Sequence, residues 1–286
     1  MKISRQLKQE IWERLLTQFP FEGYIKDERQ KAYFEIPEAI ARLVDKTSNI
    51  LDFGAGSCDK AAILSLLGYS VDAYDDLMDD WYNWNNNKEE ILKFADTLGI
   101  TYYYPKEGHQ NIPNNKKYDV IILNNVIEHI HDSPRYILNS LIELLKPEGY
   151  LVIAVPNAAN LRKRISIIFG KTNYPSFSSF YWSPNNWRGH IREYVKNDLV
   201  LLNNYITFDT VQLNSHHYHL ERLSKVARLF FIIICKLFPG FRESWLYIGK
   251  KPKGWEPRNS PTNTEFQSAY EKQYYKPSES IVTWKK

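Results

Sequence analysis

The chain contains two cysteines in 286 residues, Cys58 and Cys235, far apart and outside any Cys-x-x-Cys pattern. That scarcity excludes a disulfide framework and a cysteine-rich zinc site, and it fits a reducing compartment. No GK[ST] sequence occurs, so a phosphate-cradling P-loop is excluded. The longest strongly apolar run, Leu229 to Cys235, falls far short of the ~20 residues that span a bilayer. The opening MKISRQLKQEIWERLL is charged and amphipathic, without the apolar centre of a signal peptide. An excess of one charge is missing too, since 37 basic residues face 33 acidic ones, a net +4. Such a balance suits an anionic ligand or surface, and no DNA partner is expected from it. What remains is 43% hydrophobic and 24% charged, the composition of a globular, cytoplasmic protein with one well-buried domain plus extensions.

The apolar pattern divides the chain into three parts. Residues 1–48 form a helical extension, with Ile11, Trp12, Leu15, Leu16 and Phe19 at helical spacing over 3–19 and a second helix over roughly 28–45. Residues 49–250 read as the main domain. Short apolar runs (SNILDF, YSVDAY, ITYYY, YDVIILNN, GYLVIAV) alternate with helical segments, among them 60–67 and 132–145, the latter with Ser133 as cap, Pro134 in its first turn and Gly149 beyond its end. The alternation stops at Pro156 for an aromatic-rich insertion, 157–190, a candidate substrate lid. It resumes with a helix near 195–204, strands at 205–214 and 244–250, and a basic apolar helix over 219–238. Residues 251–286 lack periodicity and read as an extended tail. The fold class expected is α/β: a Rossmann-like, mostly parallel seven-stranded sheet with helices on both faces.

The first strand runs directly into Gly54-Ala55-Gly56, a turn where glycines let backbone and ligand approach closely. The second strand ends in Asp75, 19 residues after Gly56, near the ~20 expected of a carboxylate that holds ribose hydroxyls. Together these favour a nucleoside-containing cofactor. Asp52, two residues before the first glycine, would repel a pyrophosphate but would pair with an ammonium group. S-adenosylmethionine carries adenosine and an amino acid and no phosphate, so the charge pattern selects it over NAD.

LDFGAG, the strand end Tyr74-Asp75, and the block YDVIILNNVIEHIHDSPRYILNSLIELLKPEGYLVIAVPN resemble the class I S-adenosylmethionine-dependent methyltransferases, over about residues 30–250. Gly189-His190-Ile191-Arg192-Glu193-Tyr194 is similar to a GHxREY segment in bacterial members. The resemblance implies that Asp52, Gly54, Ala55 and Gly56 line the methionine moiety. It implies that Asp75, followed by Asp76, binds the ribose, and that Asn124 and Asn125 lie beside the transferred methyl group. Two positions depart from it. Cys58 stands where a third glycine is usual, and no acid occupies the adenine-contacting position near Gly108, where Glu107 or His109 would substitute.

A hydroxyl acceptor must lose a proton during transfer, a task for a histidine of near-neutral pKa. His190, just after the insertion, is the leading base, with His129 and His131 as the other options. In the other reading, His190 and Arg192 cap a helix start. Arg192, Tyr194, Trp182 and Trp187 are the expected acceptor-binding residues, aromatic faces being suited to sugar rings and apolar groups. No metal is the leading expectation. The segment Asn125-Val126-Ile127-Glu128-His129 is nonetheless similar to an ExxEH element of small-RNA 2′-O-methyltransferases and ubiquinone-pathway O-methyltransferases. That likeness implies an alternative ligand set of Glu128, His129 and His190, with Asn125 in place of the first glutamate. The helix at 219–238 covers one face of the sheet in the first reading. In the second, residues 219–242 make peripheral contact with the inner face of a membrane. The function expected is O-methylation of a sugar, glycan or related small-metabolite hydroxyl. The alternatives are a metal-assisted RNA 2′-O-methyltransferase and a non-catalytic cofactor-binding protein. The oligomeric state is left open.

Overall fold

The computed structural model describes residues 3–105, 116–172, 174–183, 187–217, 220 and 223–265. Helix α1 (Arg5–Gln18) starts where the Ser4 hydroxyl accepts the Leu7 N–H, and it buries Ile11, Trp12 and Leu15 along one face. The expected single helix over 28–45 is broken into a 3-10 turn at 27–29, α2 (Gln30–Tyr33) and α3 (Glu35–Leu43). Pro37 explains the break, because it has no N–H with which to bond the Tyr33 carbonyl, yet fits the first turn of a new helix.

Seven strands make one sheet in the order β3-β2-β1-β4-β5-β7-β6. They are β1 (Asn49–Phe53), β2 (Ser70–Tyr74), β3 (Thr101–Tyr103), β4 (Tyr118–Asn124), β5 (Leu145–Pro156), β6 (Asp209–His216) and β7 (Ser244–Lys250). The first five pair in parallel, whereas β7 lies antiparallel between β5 and β6. Strands β1 to β5 are apolar on both sides because helices cover both faces. On one face α1, α3, α4 (Asp59–Leu66) and α5 (Asn87–Thr97) enclose a core with Ile50, Val120, Ile122 and Val152. On the other, α6 (Pro134–Leu144) and α9 (Lys196–Ile206) pack over Leu51, Ile121, Leu123 and Ile153. The order reverses between β1 and β4, which makes the carboxyl ends of these strands the place where a ligand can enter.

Three boundaries differ from the sequence expectation for identifiable reasons. Helix α9 continues to Ile206, and Thr207 stops it at φ 56, so the next strand starts at Asp209. Gly149 does not follow α6 but lies inside β5, where a Cβ would come within 2.9 Å of the Asp119 carbonyl oxygen. The end of α6 is closed instead by the Lys251 ammonium, which donates to the Ile142 and Leu145 carbonyls at 2.7 Å each. Part of the tail is thereby pinned: Trp255 donates to the Ile206 carbonyl at 2.7 Å and stands edge-on to Phe208.

Within the insertion lie α7 (Leu161–Ile168) and α8 (Phe177–Tyr181). The apolar helix expected over 219–238 is α10 (Lys225–Leu237), with the Ser224 hydroxyl accepting the Ala227 N–H at its start. It does not cover the sheet as first expected. Phe231 and Cys235 join Leu161 of α7 and Leu220 in a small separate cluster.

Candidate cofactor and acceptor site

The turn after β1 is built by backbone. Gly54 and Ala55 both donate their N–H groups to the Tyr74 carbonyl, at 2.7 and 2.9 Å. Gly54 needs to be glycine twice over: its φ is +78°, and a Cβ would fall 2.4 Å from Val126 Cγ2. Buried Cys58 reaches the conformation that the missing third glycine would take freely, at φ 64, and donates its N–H to Ala55. The left-handed conformation costs roughly 1–2 kcal/mol in an L-residue, and the turn is kept. The Gly56 N–H donates to Asp75 Oδ2 at 3.0 Å while Leu77 donates to Oδ1 at 2.9 Å, so the glycine turn and the Asp75 carboxylate are fixed relative to each other.

Negative charge at this turn is under-compensated. Burial pushes the Asp52 carboxyl up to about 7, Lys60 opposes that rise, and Asp59 and Asp75 add to it. Asp75 is raised to about 6, again chiefly by burial. Buried carboxylates held this close to neutrality gain from an incoming cation and lose from a phosphate. An amino acid with an ammonium group and a neighbouring sulfonium fits the residues present.

Asn124 ends β4 and Asn125 follows it directly. Asn125 takes φ 57 and donates its N–H to Ala154 at 2.8 Å, leaving β4 with its chain already bent. Asp52, Lys60, Asn124 and Asn125 line a small cleft of about 40 Å³ together with Glu35 and His216.

One turn further on, Glu128, His129 and His190 bring one ligand atom each within 4.8 Å of one another. Glu128 is completely buried, and neither carboxylate oxygen meets a hydrogen-bond partner from another residue. Burial raises it to about 8, with Lys60 opposing. The two imidazoles stand edge to face, 4.8 Å between centroids. His129 Nδ1 lies 2.7 Å from the Arg188 carbonyl and His190 Nδ1 lies 2.8 Å from Glu193 Oε1, while Lys163 pairs with the same Glu193 carboxylate. Each ring is thus held through one nitrogen, the arrangement by which proteins aim the other nitrogen at a cation. Burial, with His129 and Lys163 beside it, holds His190 down at about 4, so the ring is neutral at physiological pH.

The remaining expected residues fall elsewhere. Asp76 receives Arg188 at 2.8 and 3.0 Å, and Asp79 receives the same guanidinium, so the segment bearing His190 is tied to the loop after β2. Trp187 lies over Gly189 with its carbonyl 2.6 Å from His131 Nε2. Trp182 is 76% exposed, Arg192 faces Asp198, and Tyr194 is buried with its hydroxyl donating to the Ile127 carbonyl. These three are not brought to the cleft. Glu107 and His109 lie outside the described residues. Sequence reasoning missed Lys60, Glu35, His216 and Arg188. Lys60 alone carried a signal, as a base in the first turn of the helix after the glycines.

Residues 25–213 match the family model of the methyltransferase domain, and the chain belongs to that family. It has the class I architecture, whose cofactor is S-adenosylmethionine. A ubiquinone biosynthesis O-methyltransferase of Rickettsia prowazekii is 34% identical over 121 residues, covering 42% of this chain and 43% of that one. Its counterpart in Rickettsia canadensis is 33% identical over 108 residues, 38% of this chain and 42% of that protein. The chain thus matches less than half the length of these curated relatives. A solved SAM-dependent methyltransferase of Methanosarcina mazei shares the fold with a TM-score of 0.50 at 14% identity, over 75% of this chain and 97% of that one.

Proposed function

We propose that the protein transfers the methyl group of S-adenosylmethionine to a hydroxyl of a small acceptor, and that Glu128, His129 and His190 hold a divalent cation beside that hydroxyl. The observation that carries this reading is the buried, unpartnered Glu128 carboxylate between two imidazoles oriented by their Nδ1 atoms. A carboxylate so placed is costly unless a cation or proton neutralises it. The cofactor supplies an activated methyl group, and a cation in the cluster would acidify the hydroxyl bound to it. Asp75 holds the ribose, Asp52 and the glycine turn line the methionine moiety with its ammonium group, and Asn125 lies beside the transferred methyl group. His190 then serves as a ligand rather than as the base, which suits its low proton affinity. The O-methyltransferase names of the Rickettsia relatives support the oxygen acceptor. Sugar and glycan hydroxyls remain within the proposed acceptor class, and RNA 2′-hydroxyl transfer is the second reading because it would use the same cluster.

The acceptor is read as reaching the site from an anionic membrane surface. No helix among the described residues is long and apolar enough to cross a membrane. Helix α10 leaves Val226, Leu229, Phe230, Ile233 and Leu237 exposed, with Ile167, Ile168 and Phe169 exposed at the end of its partner α7. Lys225, Arg228 and Lys236 are the charged residues on α10, and no acid lies among them, which complements anionic headgroups. Flotation with vesicles containing phosphatidylglycerol should recover the protein, vesicles of phosphatidylcholine alone should recover less, and Phe230→Ser with Ile233→Ser should abolish the difference.

The central test is transfer of labelled methyl from S-adenosylmethionine to catechol, methyl glucoside and a short RNA, with Mg²⁺, with Mn²⁺ and with chelator. Cation-dependent labelling of a small hydroxyl acceptor, lost in Glu128→Gln, is expected. Turnover indifferent to both chelator and Glu128→Gln would sink the cation assignment; labelling of RNA alone would replace the acceptor.

A further inference from the structure

The cleft lined by Asp52, Lys60 and Asn125 holds a second polar pair. Glu35 opens α3 and His216 closes β6, so only the tertiary fold brings them together. His216 Nδ1 lies 3.2 Å from Glu35 Oε2. The ring's other nitrogen, Nε2, is buried and has no hydrogen-bond partner. Both residues line the cleft that begins at Asp52 and Asn125. A histidine serving only the core would be expected to satisfy both nitrogens, since a buried, unmet acceptor is costly.

We propose that His216, oriented by Glu35, reads a hydroxyl of the acceptor by accepting a hydrogen bond at Nε2; this rests on the oxygen-acceptor reading above. The charges around the pair agree with that polarity. Burial holds His216 down at about 4, with Arg242 and His217 acting in the same direction, so the ring is neutral. Glu35 is raised to about 7 by burial and Glu38, against Lys31 and Arg242, so it is largely ionised at pH 8. An ionised Glu35 accepts the proton on Nδ1 and leaves a lone pair on Nε2. A ligand group that only accepts hydrogen bonds, such as an ether or a ketone, finds no donor there. The pair therefore selects an acceptor with a free hydroxyl at this position over one whose same oxygen is already methylated. Glu35 is a positioning residue, and His216 touches the acceptor.

The test uses the full chain labelled with ¹⁵N-histidine, loaded with S-adenosylhomocysteine at pH 8, the His216 signal being the one lost in His216→Gln. The spectrum should show an Nδ1-protonated ring with a bare Nε2. Catechol should move that Nε2 signal, 1,2-dimethoxybenzene should not, and His216→Phe should weaken catechol binding about tenfold with S-adenosylhomocysteine affinity unchanged. Glu35→Asp should retain part of the catechol response, and Glu35→Ala should lose it. An Nε2-protonated ring, or a His216 signal that catechol leaves in place, overturns the proposal. If catechol moves His216 yet receives no methyl, the pair stands and the oxygen-acceptor reading fails. If transfer to catechol proceeds with unchanged KM in His216→Phe, the reverse holds.

Discussion

Asp72 on β2 and Glu128 just beyond β4 are buried to nearly the same degree, at 3% and 0% exposure, yet their surroundings are opposite. Asp72 accepts the Tyr118 hydroxyl at 2.6 Å and the Lys116 ammonium at 2.6 Å. Glu128 has no such partner. Asp72 is satisfied where it is buried, whereas at the carboxyl ends of the strands Glu128 is unpartnered and Asp52 and Asp75 are raised toward neutrality. Removing a carboxylate should therefore cost folding on one side and ligand on the other.

The largest effect is expected from Asp72→Ala, which strands Lys116 and the Tyr118 hydroxyl. It should lower unfolding free energy in urea by about 3–5 kcal/mol while changing S-adenosylmethionine affinity little. An unchanged denaturation midpoint would break the contrast. Asp75→Ala should do the converse, weakening cofactor binding in calorimetry by roughly a hundredfold with a small loss of stability. If the fold collapses as well, Asp75 belongs with Asp72. Glu128→Gln should raise the stability of the metal-free protein at neutral pH by about 1–3 kcal/mol and remove Mn²⁺ binding; a destabilised variant would mean that the carboxylate is satisfied after all. The smallest effect concerns pH. Asp52 and Asp75 release protons only near about 7 and 6, and the cationic cofactor favours their ionised forms. Protonation therefore weakens binding as pH falls, and affinity should improve about tenfold from roughly pH 5.5 to pH 7.5. A flat profile would place the ammonium group away from Asp52.

What could be read from the sequence follows the same division. Strands β1, β2 and β4 are short, largely apolar runs followed by Gly54, Asp75 and Asn125, so a local pattern contains them. The glycine turn and Asp75 lie on consecutive strands with a characteristic spacing, and the structure joins them by a hydrogen bond. Glu128, His129 and His190 were visible only as a resemblance, because the hydrogen bonds that aim the rings come from Arg188 and Glu193. Glu35 and His216 gave no signal, since nothing local connects a helix start to a distant strand end. Trp182 is exposed at 76%, and aromatic composition alone does not say which way its loop faces. Pro37 splitting a helix and Lys251 capping α6 were missed because each depends on a single atom's bonding.

The guanidinium of Arg188 has a kinetic consequence. It fastens the segment that carries His190 to Asp76 and Asp79, next to the Asp75 carboxylate. Were bound cofactor to lie behind that clasp, its release and acceptor entry would share one opening event. Because the clasp is an exposed ion-pair network, added salt loosens it and would quicken turnover wherever release sets the pace.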